Sequence, residues 1–289
     1  MVAVRPSVPE DIPAQRELWQ LAFGDSDAYL DNFYRTYYRP ERVVVLEEDG
    51  AVRAMTAWFD TSFVVPGRGT YRAAYLYAVA THPGCRGRGL AGRLLAGADD
   101  FFRTLDIPAV TTVPAEPSLH RFFGRNGFRE CFTLGQEELD PAKLDVPARE
   151  NPLRPAEPEA YGTVREQILA QLPHIAYPED ALAYQAGCCA LGEGGLFVGE
   201  TQAGPVCLCA EGDGQGLLLC KELLGGPAVR QVLPHLPGMF PGRRLVVRTP
   251  AAPGQKEGML EFAMLKWLAP ALEDRWNWED TGYLGLAFD

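Results

Sequence analysis

Apolar and polar positions change period several times along the chain, and each change marks an element. "VAVR" (2–5) reads as a short strand, and the stretch from Pro6 to Gly24 recurs at helical spacing, entered through Pro and Asp and closed by glycine. A second helix follows Asp25 and Ser26, with Tyr29, Leu30, Phe33, Tyr34 and Tyr37 as its apolar stripe. Residues 42–65 look like a hairpin turned at Asp49 and Gly50. A strand from Tyr75 then leads into a long helix running to about Leu105, where Leu90, Leu94, Ala98 and Leu105 share a face. "IPAVTTVPAE" is a further strand, "PSLHRFFGRNG" a short helix and "FRECFTLGQEEL" another strand.

This order predicts an α/β fold built on a mixed sheet. Between Asp140 and Glu159 five prolines interrupt any apolar periodicity, so the expected organisation is a first domain over 1–140, a linker over 141–158 and a second domain over 159–289. The second part repeats the outline of the first. A helix in "AYGTVREQILAQL" precedes a hairpin turned near Ala203 and Gly204, and "GQGLLLCKELLG" continues the sheet. A helical "PAVRQVLPHL", a strand "RRLVVRTPAA", a helix "MLEFAMLKWLAPAL" and a closing strand "GYLGLAF" follow. The likeness of "AVTTVPAE" to "LVVRTPAA" suggests duplication.

Composition narrows the classes. The 289 residues have room for two medium domains, and 47% hydrophobic with 22% charged residues is ordinary for a globular protein. No apolar run approaches the roughly 18 to 20 residues of a membrane span, and the first residues carry no targeting pattern, so a cytoplasmic protein without a membrane partner is expected. A net charge of -11 argues against nucleic acid as a partner and leans toward a cationic small molecule or a peptide amine. Seven cysteines in apolar surroundings predict free buried thiols, and Cys207 with Cys209, lacking a second pair at ligand spacing, predicts no metal.

Candidate chemistry concentrates in "YLYAVATHPGCRGRGLAGRLLAG" (75–97), where a strand meets a helix through glycines and arginines. A helix start presents unpaired N–H groups and partial positive charge to an anion. Gly87 and Gly89 would let a diphosphate approach, and Arg86 and Arg88 would add charge. The run has no P-loop lysine. Gly87, Gly89 and Gly92 fit the letters of a dinucleotide turn, but the strand before them ends an antiparallel run instead of opening a βαβ unit.

"VATHPGCRGRGLAGRLL" resembles the acyl-CoA motif of the GNAT superfamily of N-acyltransferases, in the order Arg86, Gly87, Arg88, Gly89, Leu90, Ala91. The preceding strand, the long helix, the next strand and "FFGRNGFRE" extend the resemblance over about the first 140 residues. It implies tandem GNAT-like domains, the second degenerate, and acetyl-CoA as co-substrate for N-acetylation of a primary amine by direct attack in a ternary complex. The backbone of Val79, Ala80 and Thr81 would then meet the pantetheine arm, and the amides from Arg86 to Ala91 the pyrophosphate. Many members carry a Tyr that protonates the leaving thiolate; the matching position is Phe123, placed beside the donor but unable to give a proton. Tyr75, Tyr77, Glu116 and His120 are the candidates for that proton chemistry, and each is equally readable as a core ring, a helix-start carboxylate or a surface helix residue. Otherwise the thiolate leaves with a backbone amide or water, or the protein is an acyl-CoA-binding sensor without turnover. Similarity to the enhanced-intracellular-survival acetyltransferases would place the carboxylate of Asp289 in the site. In the second part Gly225, Gly226 and Pro227 lack the motif, so no second acyl-CoA site is expected and that part would wall the acceptor cleft.

Overall fold

The computed structural model describes residues 2–144, 150–252, 255 and 257–288. Asp289 lies outside the described residues, as does the middle of the linker. The first half begins with β1 (Val2–Pro6), α1 (Ile12–Phe23) and α2 (Asp27–Thr36), then β2 (Val43–Glu48), β3 (Ala51–Val65) and β4 (Gly69–Thr81). It continues with α3 (Leu90–Thr104), β5 (Ala109–Thr112), α4 (Pro117–Arg125) and β6 (Arg129–Glu138). Local chemistry sets these bounds. Gly24 closes α1 in the left-handed region at φ 75°, Ser26 accepts the Tyr29 N–H at the start of α2, and Asp49 and Gly50 take the positive φ of a tight hairpin turn.

The second half adds β7 (Arg154–Pro155), α5 (Pro158–Leu169), β8 (His174–Ala176), α6 (Glu179–Leu191), β9 (Gly195–Thr201), β10 (Gly204–Gly212), β11 (Leu217–Leu224), β12 (Arg244–Pro250) and β13 (Leu260–Trp267). Residues 227–236, expected as one helix, fall within a succession of short helical turns over 226–239 broken by Pro227, Pro234 and Pro237. Helix α6 is absent from the periodicity reading, because its faces are apolar all round and no stripe stands out. β13 falls where a helix is expected. Its residues Phe262 to Trp267 are buried on both faces, so strand alternation is missing, and Leu, Ala, Met and Lys favour helix locally. Residues 282–288 form no strand; they run as a buried segment that touches the sheet at Phe132 and Gly282 and pairs His174 with Tyr283.

A single sheet passes through both halves in the order β1-β2-β3-β4-β5-β13-β6-β12-β11-β10-β9-β7, with β8 on β3. β13 is antiparallel to both β5 and β6, while β6 is antiparallel to β12. Each half therefore has an antiparallel run, a helical segment and a parallel pair, β4 with β5 and β11 with β12. Each parallel pair is flanked by a strand from the other half. Lys266 of β13 fastens this arrangement from below α3, donating to Asp99 at 2.6 Å and to the Asn126 carbonyl at 3.1 Å.

Helices α3 and α4 cover one face of the first half over Leu94, Ala98, Phe102, Val110 and Met264. The opposite face carries a core shared by both halves, in which α1 and α2 meet α5 and α6 over Phe33, Phe59, Tyr184 and Phe288. The α2–α6 crossing is close. A Cβ on Gly187 would lie 2.1 Å from Asn32, whose amide donates to the Tyr184 carbonyl at 2.9 Å. Within the shared core Arg165 donates to Glu222 at 2.8 Å, and Glu222 also accepts from Tyr161 at 2.6 Å and from Tyr283.

Candidate functional site

The glycine and arginine turn joins β4 to α3. Gly87 and Gly89 stand at φ 77° and 74°, where a side chain is strained, and a Cβ at either would meet nothing within 4 Å. Within the protein the glycines are therefore required by backbone conformation, with open space in front of them. Among the described residues no hydrogen bond uses the N–H groups of Gly87 through Gly92; the first helical bond is Arg93 N–H to the Gly89 carbonyl. Six consecutive N–H donors at a helix start are thus left without a partner among the described residues. The arginines behave differently from each other. Arg88 is held in a two-pronged pair with Glu48 of β2 at 2.7 and 2.9 Å, so its charge is largely matched. Arg86 bends back, donating through Nε to the Thr81 carbonyl at 3.3 Å.

Strand β4 changes character beside this turn. It pairs with β5 only from Ala73 to Leu76, so Tyr77 to Thr81 have no strand on that flank. On the other flank the register with β3 shifts, with Met55 opposite Ala80 and Ala57 opposite Tyr77. Ala78 takes φ 50° within this bulge, an uncommon conformation for alanine. The strand that would offer Val79, Ala80 and Thr81 to a ligand thereby runs on past the end of β5 and is kinked, one short helical turn away from the free N–H groups.

The four residues proposed for proton chemistry fall in two places. Tyr75 and Tyr77 point into the shared core, with Tyr75 packed against Phe59 and Phe288. Tyr77 shares hydrogen bonds with Tyr184 at 2.9 Å and Tyr29 at 3.2 Å, and Tyr29 donates to the Phe288 carbonyl at 3.1 Å. With the Tyr29 proton committed to a carbonyl, the Tyr77 proton goes to Tyr29 and that of Tyr184 to Tyr77. Burial pushes all three phenols well above 10, so they are neutral donors. Glu116 and His120 lie instead at the start of α4: Glu116 accepts from Ser118 at 2.6 Å, and His120 Nδ1 is 2.9 Å from Glu130. Phe123 is 4% exposed and wedged against Phe122 and Phe128.

Next to the tyrosine chain stand residues that sequence reading missed. Asp25, at the corner between α1 and α2, accepts from the Trp19 indole at 2.7 Å, and burial raises its carboxyl. Across the seam Gln185 donates to Glu211 at 2.7 Å, and Lys221 pairs with Glu211 at 2.9 Å. Gln185 is fully buried and its Oε1 has no hydrogen-bond partner among the described residues. Only the "FGDSD" helix break hinted at Asp25; the others arrive from the second half through the fold.

Residues 3–129 match the family model of the acetyltransferase (GNAT) domain. They form a GNAT domain. Solved structures extend the likeness of fold to nearly the whole chain. A GCN5-related N-acetyltransferase from Anabaena variabilis is 15% identical with a TM-score of 0.69, covering 93% of this chain and 73% of that one. A probable N-acyltransferase from Enterococcus faecalis is 12% identical with a TM-score of 0.71 over the same shares. Eis1 from Mycobacterium abscessus is 13% identical with a TM-score of 0.65, covering 93% and 74%. No curated protein matches the chain. The GNAT domain is an acyltransferase domain, and its strand β13 comes from outside the matched residues.

Proposed function

We propose that the protein transfers an acetyl group from acetyl-CoA to a primary amine by direct attack. The observation that carries this reading is the row of free N–H groups from Gly87 to Gly92 beside the bulged end of β4 that outruns β5. The turn holds the pyrophosphate through those amides and the start of α3, with little help from Arg88. The pantetheine arm lies along Val79, Ala80 and Thr81, where β5 has left the strand. The thioester carbonyl is then positioned by backbone donors at the bulge, which supplies orientation and charge stabilisation without a covalent intermediate.

The acceptor enters on the tyrosine side, between Asp25 and Tyr29 of the first half and Glu211 of the second. Carboxylates there suit an ammonium group. Asp25 takes its proton, since a carboxyl raised by burial is a better base than an exposed one. The tyrosine chain orients the amine through neutral hydroxyls. Calorimetric titration with CoA and acetyl-CoA tests the donor half of the proposal: saturable binding by the wild type and loss in Gly89→Val are expected, and absence of binding by the wild type defeats it.

Phe123 supports a second reading, an acyl-CoA-binding sensor that turns nothing over. A panel of amines assayed by thiol release separates the two. CoA release above the hydrolysis background with any amine excludes the sensor; its absence across the panel, with donor binding intact, favours it.

A further inference from the structure

Charge around the start of α3 is lopsided. On one side lie Glu47, Glu48 and Asp49, at the end of β2 and its turn, and the cations there are already matched: Arg88 by Glu48 and Arg5 by Glu47. On the other side lies α4. From Pro117 to Arg129 the chain has no Asp or Glu, although it holds 38 acidic against 27 basic residues in all. That stretch carries three arginines. Arg129 is spent on Trp278, its guanidinium 3.8 Å from the ring centre. Arg121 and Arg125 are exposed, and among the described residues neither guanidinium has a hydrogen bond, an ion pair or a ring partner. Their i, i+4 spacing puts them together on the side of α4 opposite the buried Phe123.

The end of α4 is fastened beside the start of α3. The Asn126 side-chain oxygen is 3.4 Å from where a Cβ on Gly92 would stand, and Gly92 closes the row of unpartnered N–H groups. Asn126 is held there: its amide donates to the Phe122 carbonyl at 2.8 Å, and its own carbonyl accepts from Lys266, which also grips Asp99 of α3. Arg125 is the adjoining residue, so its long, unspent side chain starts next to the amide row. Arg93 adjoins Gly92 but belongs to the other side, because one turn further on Gly97 abuts Val4 of β1.

A diphosphate at the amides would leave both arginines of α4 unused. CoA carries a third phosphate, a monoester on the 3′ position of its ribose, which is close to doubly charged at neutral pH. We infer that Arg125 and Arg121 form a subsite for this 3′-phosphate, so that the protein distinguishes CoA from dephospho-CoA, which differs only in lacking it. The inference rests on the reading of the turn as an acyl-CoA seat. A guanidinium meets a phosphate through parallel N–H donors, and no carboxylate on α4 competes for either one.

Calorimetry on the full chain with CoA and dephospho-CoA tests it. In low-salt buffer CoA is expected to bind about tenfold more tightly, a ratio that narrows as salt screens the exposed charges. Replacing both arginines, Arg121→Gln with Arg125→Gln, should bring CoA affinity down to that of dephospho-CoA. Dephospho-CoA binding should stay within about twofold, which shows that the variant is folded. Arg93→Gln removes the same charge from the other side of the turn and should keep the ratio within about twofold. Equal binding of the two ligands by the wild type overturns the inference and leaves the acyl-CoA seat standing. A ratio that survives in the double variant, or falls as far in Arg93→Gln, overturns it too. If neither ligand binds, the reading of the turn falls with it.

Discussion

The two helix-start turns that follow the same topological step make an instructive pair. In the first half β4 leads through Gly87 and Gly89 into a 15-residue helix; in the second β11 leads through Gly225 and Gly226 into a four-residue one. Both use glycines at positive φ, 77° and 74° against 143° and 53°. Their surroundings differ at the first glycine, while Gly226, like Gly87 and Gly89, has open space where a Cβ would stand. A Cβ on Gly87 or Gly89 meets open space, whereas one on Gly225 would press to 2.9 Å on the Pro205 carbonyl. In the second turn Pro227 has no N–H, Ala228 N–H bonds Gly225 and Val229 N–H bonds Gly226. The same local device is internal packing in one half and, in the other, the turn that we propose seats the pyrophosphate. Glycines at a helix start do not by themselves point to a ligand; the unspent donors are what set the first turn apart.

The largest expected effect breaks the shared core without touching either turn. Glu222→Ala removes the buried carboxylate from Arg165, leaving it the part-exposed Glu166, and frees the hydroxyls of Tyr161 and Tyr283, which should cost about 3–5 kcal/mol in chemical denaturation. If the transition is unchanged, the seam between halves is not the keystone that its burial indicates. Next, Gly87→Val and Gly226→Val sharpen the comparison directly. Each forces a side chain into the left-handed region at about 1–2 kcal/mol, visible as a lower Tm in both. Only Gly87→Val should weaken CoA binding, by at least about tenfold, because only that turn offers its amides.

A smaller effect concerns pH. Burial holds the Asp25 carboxyl above its ordinary value, so the charged form is disfavoured by folding: the carboxylate is protonated, and the strain relieved, as pH falls through that raised value. Acetyl transfer should therefore rise with pH along a limb set above the usual carboxylate range of about 4, and Asp25→Asn should abolish that limb while leaving CoA affinity unchanged. Smallest of all is Arg88→Gln. With Glu48 already matching its charge at the surface, its loss should change CoA affinity by less than about threefold in a titration at physiological salt.

How much could be read before the fold was known depended on how far apart the deciding residues lie. The turn was legible because its determinants are contiguous: a strand, glycines at fixed offsets and an amphipathic helix within 30 residues or so. Helix α2, its Ser26 cap and the Asp49 turn were legible for the same reason. β13 was not, since an apolar run of Leu, Phe, Ala and Met is a strand only because β5 and β6 accept it. The pairing of Arg88 with Glu48 and the meeting of Asp25 with Glu211 depend on sheet order across tens to hundreds of residues, which periodicity does not encode. The role of glycine in the turn also shifted, from admitting a ligand to permitting a backbone conformation.

The exchange of β6 and β13 bears on how the chain is made. As the ribosome delivers the polypeptide, β5 emerges long before the strand that flanks it, because Thr112 must wait for Leu260 to Trp267. Until then the first half carries an open strand edge at β5, the kind of edge that invites pairing with other chains. The proposed acyl-donor binding is thereby tied to completion of synthesis: a nascent or truncated chain ending before Leu260 has the glycine turn and lacks the Lys266 anchor beneath α3. The motif is written early in the message, and its support arrives almost last.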